Sequence, residues 1–355
     1  MERKLASIQV ISEIKPIEGA DMIECARVNG WDVVVRKNEF KVGDKVIYFE
    51  IDSWIPHELF PSLSKGKEPR EYNGIKGERL RTVRLRGQLS QGLILSPTYE
   101  TVFGCEVVKN DLSSSDTGAD VTELLGVQKW EAPVPAQLQG QVVGLFPSQY
   151  IKSDQERAQN LTDKLFTKEG LARRYEITLK LDGSSCSVYQ KNDGSVGVCS
   201  RNLELKVNEE NKDNSFIRAV KKTGLFEVMA DPEFAGLMIQ LELMGPGIQG
   251  NRENLPELDL YAFNIQRLGH TMIQPKERIE VIKRMWDKGA TFKICPIAYE
   301  NVSLSELEIW NIDQLKKFAD RNSLVNDVAE GFVFKQVDGD FQFKIINDRF
   351  LLNEK

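Results

Sequence analysis

Lys180 sits in the run Lys180-Leu181-Asp182-Gly183, an amine followed closely by a carboxylate and a turn glycine. An amine acts as a covalent nucleophile only when unprotonated, and a free lysine with a pKa near 10.4 is almost wholly charged at neutral pH. Burial, neighbouring cations or a bound metal would free its lone pair, whereas a directly paired carboxylate works the other way. Alone the run is weak, since an exposed lysine before an Asp-Gly turn does no chemistry. Other catalytic resources are sparse. The two histidines, His57 in a Pro-bounded loop and His270 beside Gly269, suggest no catalytic dyad, which speaks against a histidine-based hydrolase or a multi-histidine metal site. The five cysteines (Cys25, Cys105, Cys186, Cys199 and Cys295) are scattered and never spaced as CxxC, so neither a zinc cage nor a disulfide framework is expected. No GxxxxGKS/T phosphate loop is present, so any nucleotide is held by other means than a P-loop.

Further runs follow Lys180 in a fixed order. Ser200-Arg201 comes after a short hairpin pattern, then Glu242-Leu243-Met244-Gly245, then the aromatic-centred Tyr261-Ala262-Phe263-Asn264-Ile265. Glu330-Gly331-Phe332-Val333 comes next with Lys335 close behind, and Phe343-Lys344 comes last. This ordered set resembles the covalent nucleotidyltransferases: DNA ligases, RNA ligases and capping enzymes. The resemblance implies that Lys180 attacks the α-phosphorus of ATP. It also implies that Asp182, Glu242 and Glu330 hold a hydrated Mg²⁺ or Mn²⁺. Lys344, Lys335 and Arg201 would balance charge on phosphate oxygens, and Phe263 offers a flat face for adenine. Glu242 has a second reading, as the holder of a ribose hydroxyl.

Within that superfamily, DNA ligases and capping enzymes usually carry a C-terminal OB domain after the last lysine-bearing strand. Here the sequence closes soon after Lys344, and OB-like strands come first. This order looks like the RNA ligase family with an N-terminal OB module. Two more runs are similar to that family: Lys152-Ser153-Asp154-Gln155-Glu156-Arg157-Ala158-Gln159-Asn160, which brings Arg157 into the nucleotide-binding set, and Gly245-Pro246-Gly247-Ile248-Gln249-Gly250-Asn251. Two positions depart from the family pattern. Gln342 and Ile346 flank Lys344 where a second lysine is common, and Leu179 precedes the nucleophile where an acid is common. The implied reaction joins an RNA 3′-hydroxyl to a 5′-phosphate, with a nicked duplex as the expected substrate and a monomer as the expected form. Rival readings are a DNA ligase, a GTP-using capping-type enzyme, and a non-catalytic RNA-binding OB protein.

The elements that must position these residues are also legible. Short β-branched and aromatic runs at 5–11, 31–36, 46–51, 79–86 and 93–95, separated by turn formers, predict an OB-type barrel. The pattern dissolves from Asn110 to about Gln149, where Pro133, Pro135 and Pro147 interrupt it. The expected division is an OB-like domain over 1–125, a linker over 126–149, and an adenylyltransferase domain over 150–355. In the last of these, strands are predicted at 175–181, 187–190, 196–199, 238–243, 260–265, 331–336 and 341–346, with helices at 217–228, 275–288 and 313–321. The helix at 275–288 opens on Pro275, closes on Gly289, and aligns Ile279, Ile282, Met285 and Trp286 on one face. The fold class is α+β with largely antiparallel sheets, the second domain ATP-grasp-like by resemblance.

With 355 residues, two domains are the natural reading, and 41% apolar with 28% charged residues is ordinary for a globular protein. No apolar run is long enough to span a bilayer, and the charged N-terminus lacks a signal peptide's apolar core, so an intracellular protein is expected. The net charge of −6 conceals a basic stretch from Lys65 to Arg86. Within it, Lys76, Arg79, Arg81, Arg84 and Arg86 are the candidate contacts to nucleic-acid phosphates.

Overall fold

The computed structural model describes residues 3–103, 106–131 and 140–353. Cys105, Pro133 and Pro135 lie outside the described residues, as does the 132–139 part of the expected linker. The chain forms two compact units. The first takes the described residues up to 131 and also Gln159–Thr162; the second takes 140–158 and everything from Asp163 onward.

The first unit is built on a five-stranded sheet ordered Leu93–Leu95, Lys45–Phe49, Ala6–Pro16, Ile23–Val28, Trp31–Arg36. Its long first strand carries an irregularity between Ile11 and Glu13, a bulge of the kind that bends a strand so that it serves two parts of a barrel. The outer strands nearly close on each other. Gln91 N–H donates to Asp32 O at 2.7 Å, and Val34 N–H donates to Ser90 Oγ at 3.0 Å. Ile8, Ile47, Phe49 and Ile55 pack with Val121, Leu125 and Val127 in one core. The nearly closed barrel is the OB fold that the strand pattern predicts. One element differs. The single strand predicted over 79–86 is instead the end of Ile75–Arg79 and a separate hairpin, Val83–Leu85 with Gln88–Ser90. Leu80 stays tied to Asp52 and Ser53 by backbone hydrogen bonds before the chain turns away.

The second unit has two sheets. A five-stranded one is ordered Glu156–Arg157, Gln342–Ile346, Gly331–Gln336, Arg174–Lys180, Ile297–Ser303. An eight-stranded one centres on Ser184–Gln190, Leu237–Met244 and Asp259–Arg267. All described pairings are antiparallel except Glu156–Arg157 with Phe343–Lys344 and Tyr261–Ala262 with Lys293–Ile294. Helices Ser215–Lys222, Leu225–Met229 and Pro275–Asp287 contribute Ile217, Val228, Ile282 and Met285 to a core shared with the larger sheet. The helix predicted over 217–228 is two helices because Thr223 Oγ1 donates to the Ala219 and Val220 carbonyls, and Gly224 adopts φ +70°. Arg278 takes a buried position on the Pro275–Asp287 helix, while Trp286 is 37% exposed.

The smaller sheet has two chemically distinct faces. Directly opposite residues on paired strands share a face, and alternate residues switch. Tyr175, Phe334 and Phe343 therefore meet on one side, with ring centroids 4.5–5.8 Å apart. On the other side the register sets Lys180 opposite Gly331, Glu176 opposite Lys335, and Lys344 opposite Val333 and Arg157. The aromatic face anchors the sheet, and the charged face holds the candidate chemistry.

Candidate active site

Lys180 is the last residue of its strand, and the chain leaves it through Leu181-Asp182-Gly183 to begin Ser184–Gln190 in the other sheet. A side chain at such a crossover is fixed by one sheet and faced by residues of the other. Gly183 makes the crossing tight. A Cβ there would lie 2.4 Å from the Leu243 carbonyl oxygen and 2.9 Å from Glu242 Cγ, so only glycine lets the turn pass beneath Glu242. The Gly183 N–H donates to Glu242 Oε1 at 3.0 Å.

Three carboxylates surround the amine. Glu330, adjacent to the strand position opposite Lys180, places Oε1 2.7 Å from Lys180 Nζ; its Oε2 is buried without a hydrogen-bond partner. Burial draws the Lys180 pKa down, but Glu330, Glu242 and Asp182 outweigh it, and the ammonium is held above its ordinary value. Glu242 is pushed up to about 8 by burial, with Glu330 and Asp182 adding to the rise against Lys180 and the Gly183 amide. Asp182 lies 3.7 Å from Arg252. The site thus gathers three carboxyl groups around one amine, which would have to lose its proton to act as a nucleophile. A divalent cation fits this donor chemistry, given hard oxygen ligands and an unpartnered buried carboxylate oxygen. Among the described residues no group of three or more ligating side chains is drawn up for direct coordination.

Two more candidate cations face the same region. Lys344 Nζ is 2.7 Å from Asp154 Oδ1, and Arg201 Nη2 is 3.3 Å from Asp154 Oδ2. Burial brings Lys344 down to about 8; Asp154 resists, while Arg157 and Lys180 push the same way as burial. Arg157 is buried beside it, in register with Lys344.

Lys335 is placed differently from the phosphate-facing cation of the sequence reading. It is 7% exposed, donates to the Phe263 carbonyl oxygen, and sits 5.9 Å from the Phe263 ring centroid. Its pKa falls to about 7 through burial and the nearby Arg278, against Glu176. Arg278 Nη2 in turn donates to both Glu176 oxygens, at 2.9 and 2.7 Å. Phe263 itself is half-buried and is the extra residue where the register shifts between Gln240 and Leu241. A bulge re-aims a side chain out of the regular alternation, which is how a strand presents one ring.

Sequence reasoning passed over Asp154, Glu176, Arg252 and Arg278 as site residues. Glu176 was accessible by period-two counting, since it lies four residues before Lys180 on the same strand face. The other three depend on contacts distant in sequence, such as Asp154 with Lys344.

Among the five candidate nucleic-acid contacts, Arg81, Arg84 and Arg86 are exposed on or beside the Val83–Leu85 hairpin. Lys76 is exposed and paired with Glu68 at 2.9 Å. Arg79 is turned inward: its guanidinium contacts Asp52 at 2.6 Å and stacks 4.0 Å over Trp130, with the side chain 7% exposed. Among the described residues, no helix is long and apolar enough to cross a membrane.

An OB barrel followed by a two-sheet domain with a lysine at its sheet crossover defines the covalent nucleotidyltransferase class. A family model described as an OB-fold domain matches residues 5–97, and one described as RNA ligase matches residues 173–348. No curated protein matches the chain. Among solved structures, an apo mutant of a Naegleria gruberi RNA ligase is 40% identical with a TM-score of 0.85, covering 99% of both chains. A mutant Naegleria gruberi RNA ligase with ATP and Mn is 40% identical with a TM-score of 0.84, again over 99% of both chains. Naegleria gruberi RNA ligase with PPi is 41% identical with a TM-score of 0.83, over 99% of this chain and 98% of that one. The chain belongs to the RNA ligase family.

Proposed function

We propose that this RNA ligase uses ATP and seals 3′-hydroxyl and 5′-phosphate RNA ends, with nicks in duplexes as its substrate. The observation that carries the reading is Lys180 at the sheet crossover, ringed by Asp182, Glu242 and Glu330 and sharing a sheet face with Lys344. Lys180, once unprotonated, attacks the α-phosphorus of ATP; a phosphoramidate bond forms and pyrophosphate leaves. Lys344 and Arg201 oppose the charge gathering on the leaving phosphates. Phe263 supplies a face for adenine, and Lys335, through the Phe263 carbonyl, holds that strand in place. AMP then passes to the RNA 5′-phosphate, and the 3′-hydroxyl displaces it. The relative structures with ATP and Mn and with AMP and Mn support ATP as substrate and a divalent ion, Mn²⁺ or Mg²⁺, as cofactor. When bound, that ion supplies positive charge that lowers the cost of both the free amine and the developing phosphate charge. Asp182, Glu242 and Glu330 are the residues that would hold it. The exposed Arg81, Arg84 and Arg86 grip RNA backbone.

Incubation with α-labelled ATP or GTP, followed by a denaturing gel, tests the first step. Label from ATP, lost in Lys180→Ala, is expected, with a mass increment of one AMP on Lys180. Label from GTP alone, or an adduct elsewhere, overturns the reading. Sealing assays on nicked duplexes with RNA or DNA at the 3′-hydroxyl side decide the polymer, and faster sealing of all-DNA nicks contradicts it.

A further inference from the structure

Asp154 precedes the Glu156–Arg157 strand and makes one connection that the proposed chemistry does not use. Its two carboxylate oxygens are divided between two cations, Oδ1 to Lys344 at 2.7 Å and Oδ2 to Arg201 at 3.3 Å. Lys344 belongs to the five-stranded sheet, while Arg201 lies in the turn between Val196–Cys199 and Leu203–Leu205 of the eight-stranded sheet. A single small anion therefore ties the two sheets together through these cations. Two oxygens on one centre, each turned to a different cation, is also the pattern a phosphate group presents. The Lys344 side chain is only 13% exposed, so its charge is costly without an anion beside it. Arg157 and Lys180 add to the positive field around it.

We infer that Asp154 is a positioning residue that stands in for phosphate. In the nucleotide-free enzyme it holds Lys344 and Arg201 at phosphate-bridging separation, and it yields them when a triphosphate or pyrophosphate arrives. The inference rests on the reading of Lys344 and Arg201 as phosphate-facing cations. It differs in sign from a purely structural tie. A stand-in competes with the incoming anion, so its removal tightens anion binding; a scaffold that merely aims the cations weakens binding when lost.

The test is calorimetric titration of the full-length protein, cleared of AMP by pyrophosphate treatment and dialysis, with inorganic pyrophosphate at pH 6. Wild type is compared with Asp154→Asn, Lys344→Ala and Arg201→Ala. The expected result is about twofold to fivefold tighter binding in Asp154→Asn, the scale of one partly exposed ion pair that no longer has to be broken. Lys344→Ala and Arg201→Ala are expected to bind more weakly than wild type. Equal or weaker binding in Asp154→Asn, with both cation variants impaired, overturns the stand-in role and leaves the phosphate-facing reading intact. Unchanged binding in both cation variants overturns that reading itself, and the stand-in role with it. Asp154→Ser provides the same comparison if the asparagine variant does not fold.

Discussion

At the residue scale, the tension in this site is that the amine meant to react is paired with an acid. Glu330 contacts Lys180 directly and helps hold it protonated. Two roles for Glu330 predict opposite outcomes for Glu330→Gln. If the carboxylate only restrained the lysine, the variant would release the amine and speed lysyl-AMP formation near neutral pH. If it helps hold the divalent ion, the Mn²⁺ concentration for half-maximal adenylylation rises by about tenfold or more. The second outcome is expected, and a metal titration of the label-transfer assay measures it. Lys335 gives a separate test through stability. Its native pKa lies near 7 while the unfolded chain keeps the proton to about 10.4, so between those values the unfolded state binds more protons. Lys335 therefore adds stability as pH rises from 7 toward 10, and below 7 contributes no pH slope. The melting temperature of wild type, relative to Lys335→Met, should climb by about 7–14 °C over that range. A flat difference would show that the amine is charged in the native protein.

At the element scale, the strand Gly331–Gln336 is the hinge of the argument, because its register places both Glu330 and Lys335. Its first residue cannot carry a side chain: Gly331 has φ +153°, and a Cβ there would lie 2.1 Å from the Ile345 carbonyl oxygen. Gly331→Ala is expected to cost about 3 kcal/mol of stability in urea unfolding and to cut adenylylation, since the strand must shift away from Gln342–Ile346. A cost below about 1 kcal/mol would mean that the strand accommodates the methyl group and that Glu330 is not fixed by this contact. The strand itself was legible in the sequence, as were Trp31–Arg36 and Val196–Cys199, because each is a compact β-branched or aromatic run. Ile23–Val28 and Ile297–Ser303 were not. The former interleaves Glu24 and Arg27 with its apolar residues, and the latter is half-exposed with charged and polar residues throughout. The site follows the same division. Lys180, Asp182, Glu242 and Glu330, which the structure brings together, could be singled out because they lie in short runs with local signatures. Asp154 and Arg278 act through partners 190 and 102 residues away, and no local pattern records such a contact. Arg79 and Lys335 were named as candidates by their charge, and a sequence does not give the burial that the structure shows for both.

At the scale of the whole molecule, the proposed function divides the work of the two units between joining chemistry and polymer grip. Every residue assigned to nucleotide chemistry lies in the second unit, and the exposed Arg81, Arg84 and Arg86 lie in the first. The net charge of −6 makes general attraction to a polyanion a poor explanation for RNA binding, so contact has to be local. The hairpin at Val83–Leu85 offers Arg81, Arg84 and Arg86 together with the part-exposed Val83 and Leu85, a mixture suited to backbone phosphates and unstacked bases. A triple change of Arg81, Arg84 and Arg86 to alanine should leave lysyl-AMP formation from ATP unchanged, because that step needs no polymer. It should weaken RNA binding and sealing, and reduce the slope of log affinity against log salt by about 2, the effect of three lost phosphate contacts. Arg79→Ala makes the control at the same charge cost per site. Its guanidinium is committed to Asp52 and Trp130, so the expected loss is thermal stability, with the salt slope preserved. If the triple variant keeps the wild-type slope while Arg79→Ala lowers it, the polymer reaches the first unit by a different face, and the hairpin arginines are only solvated charges.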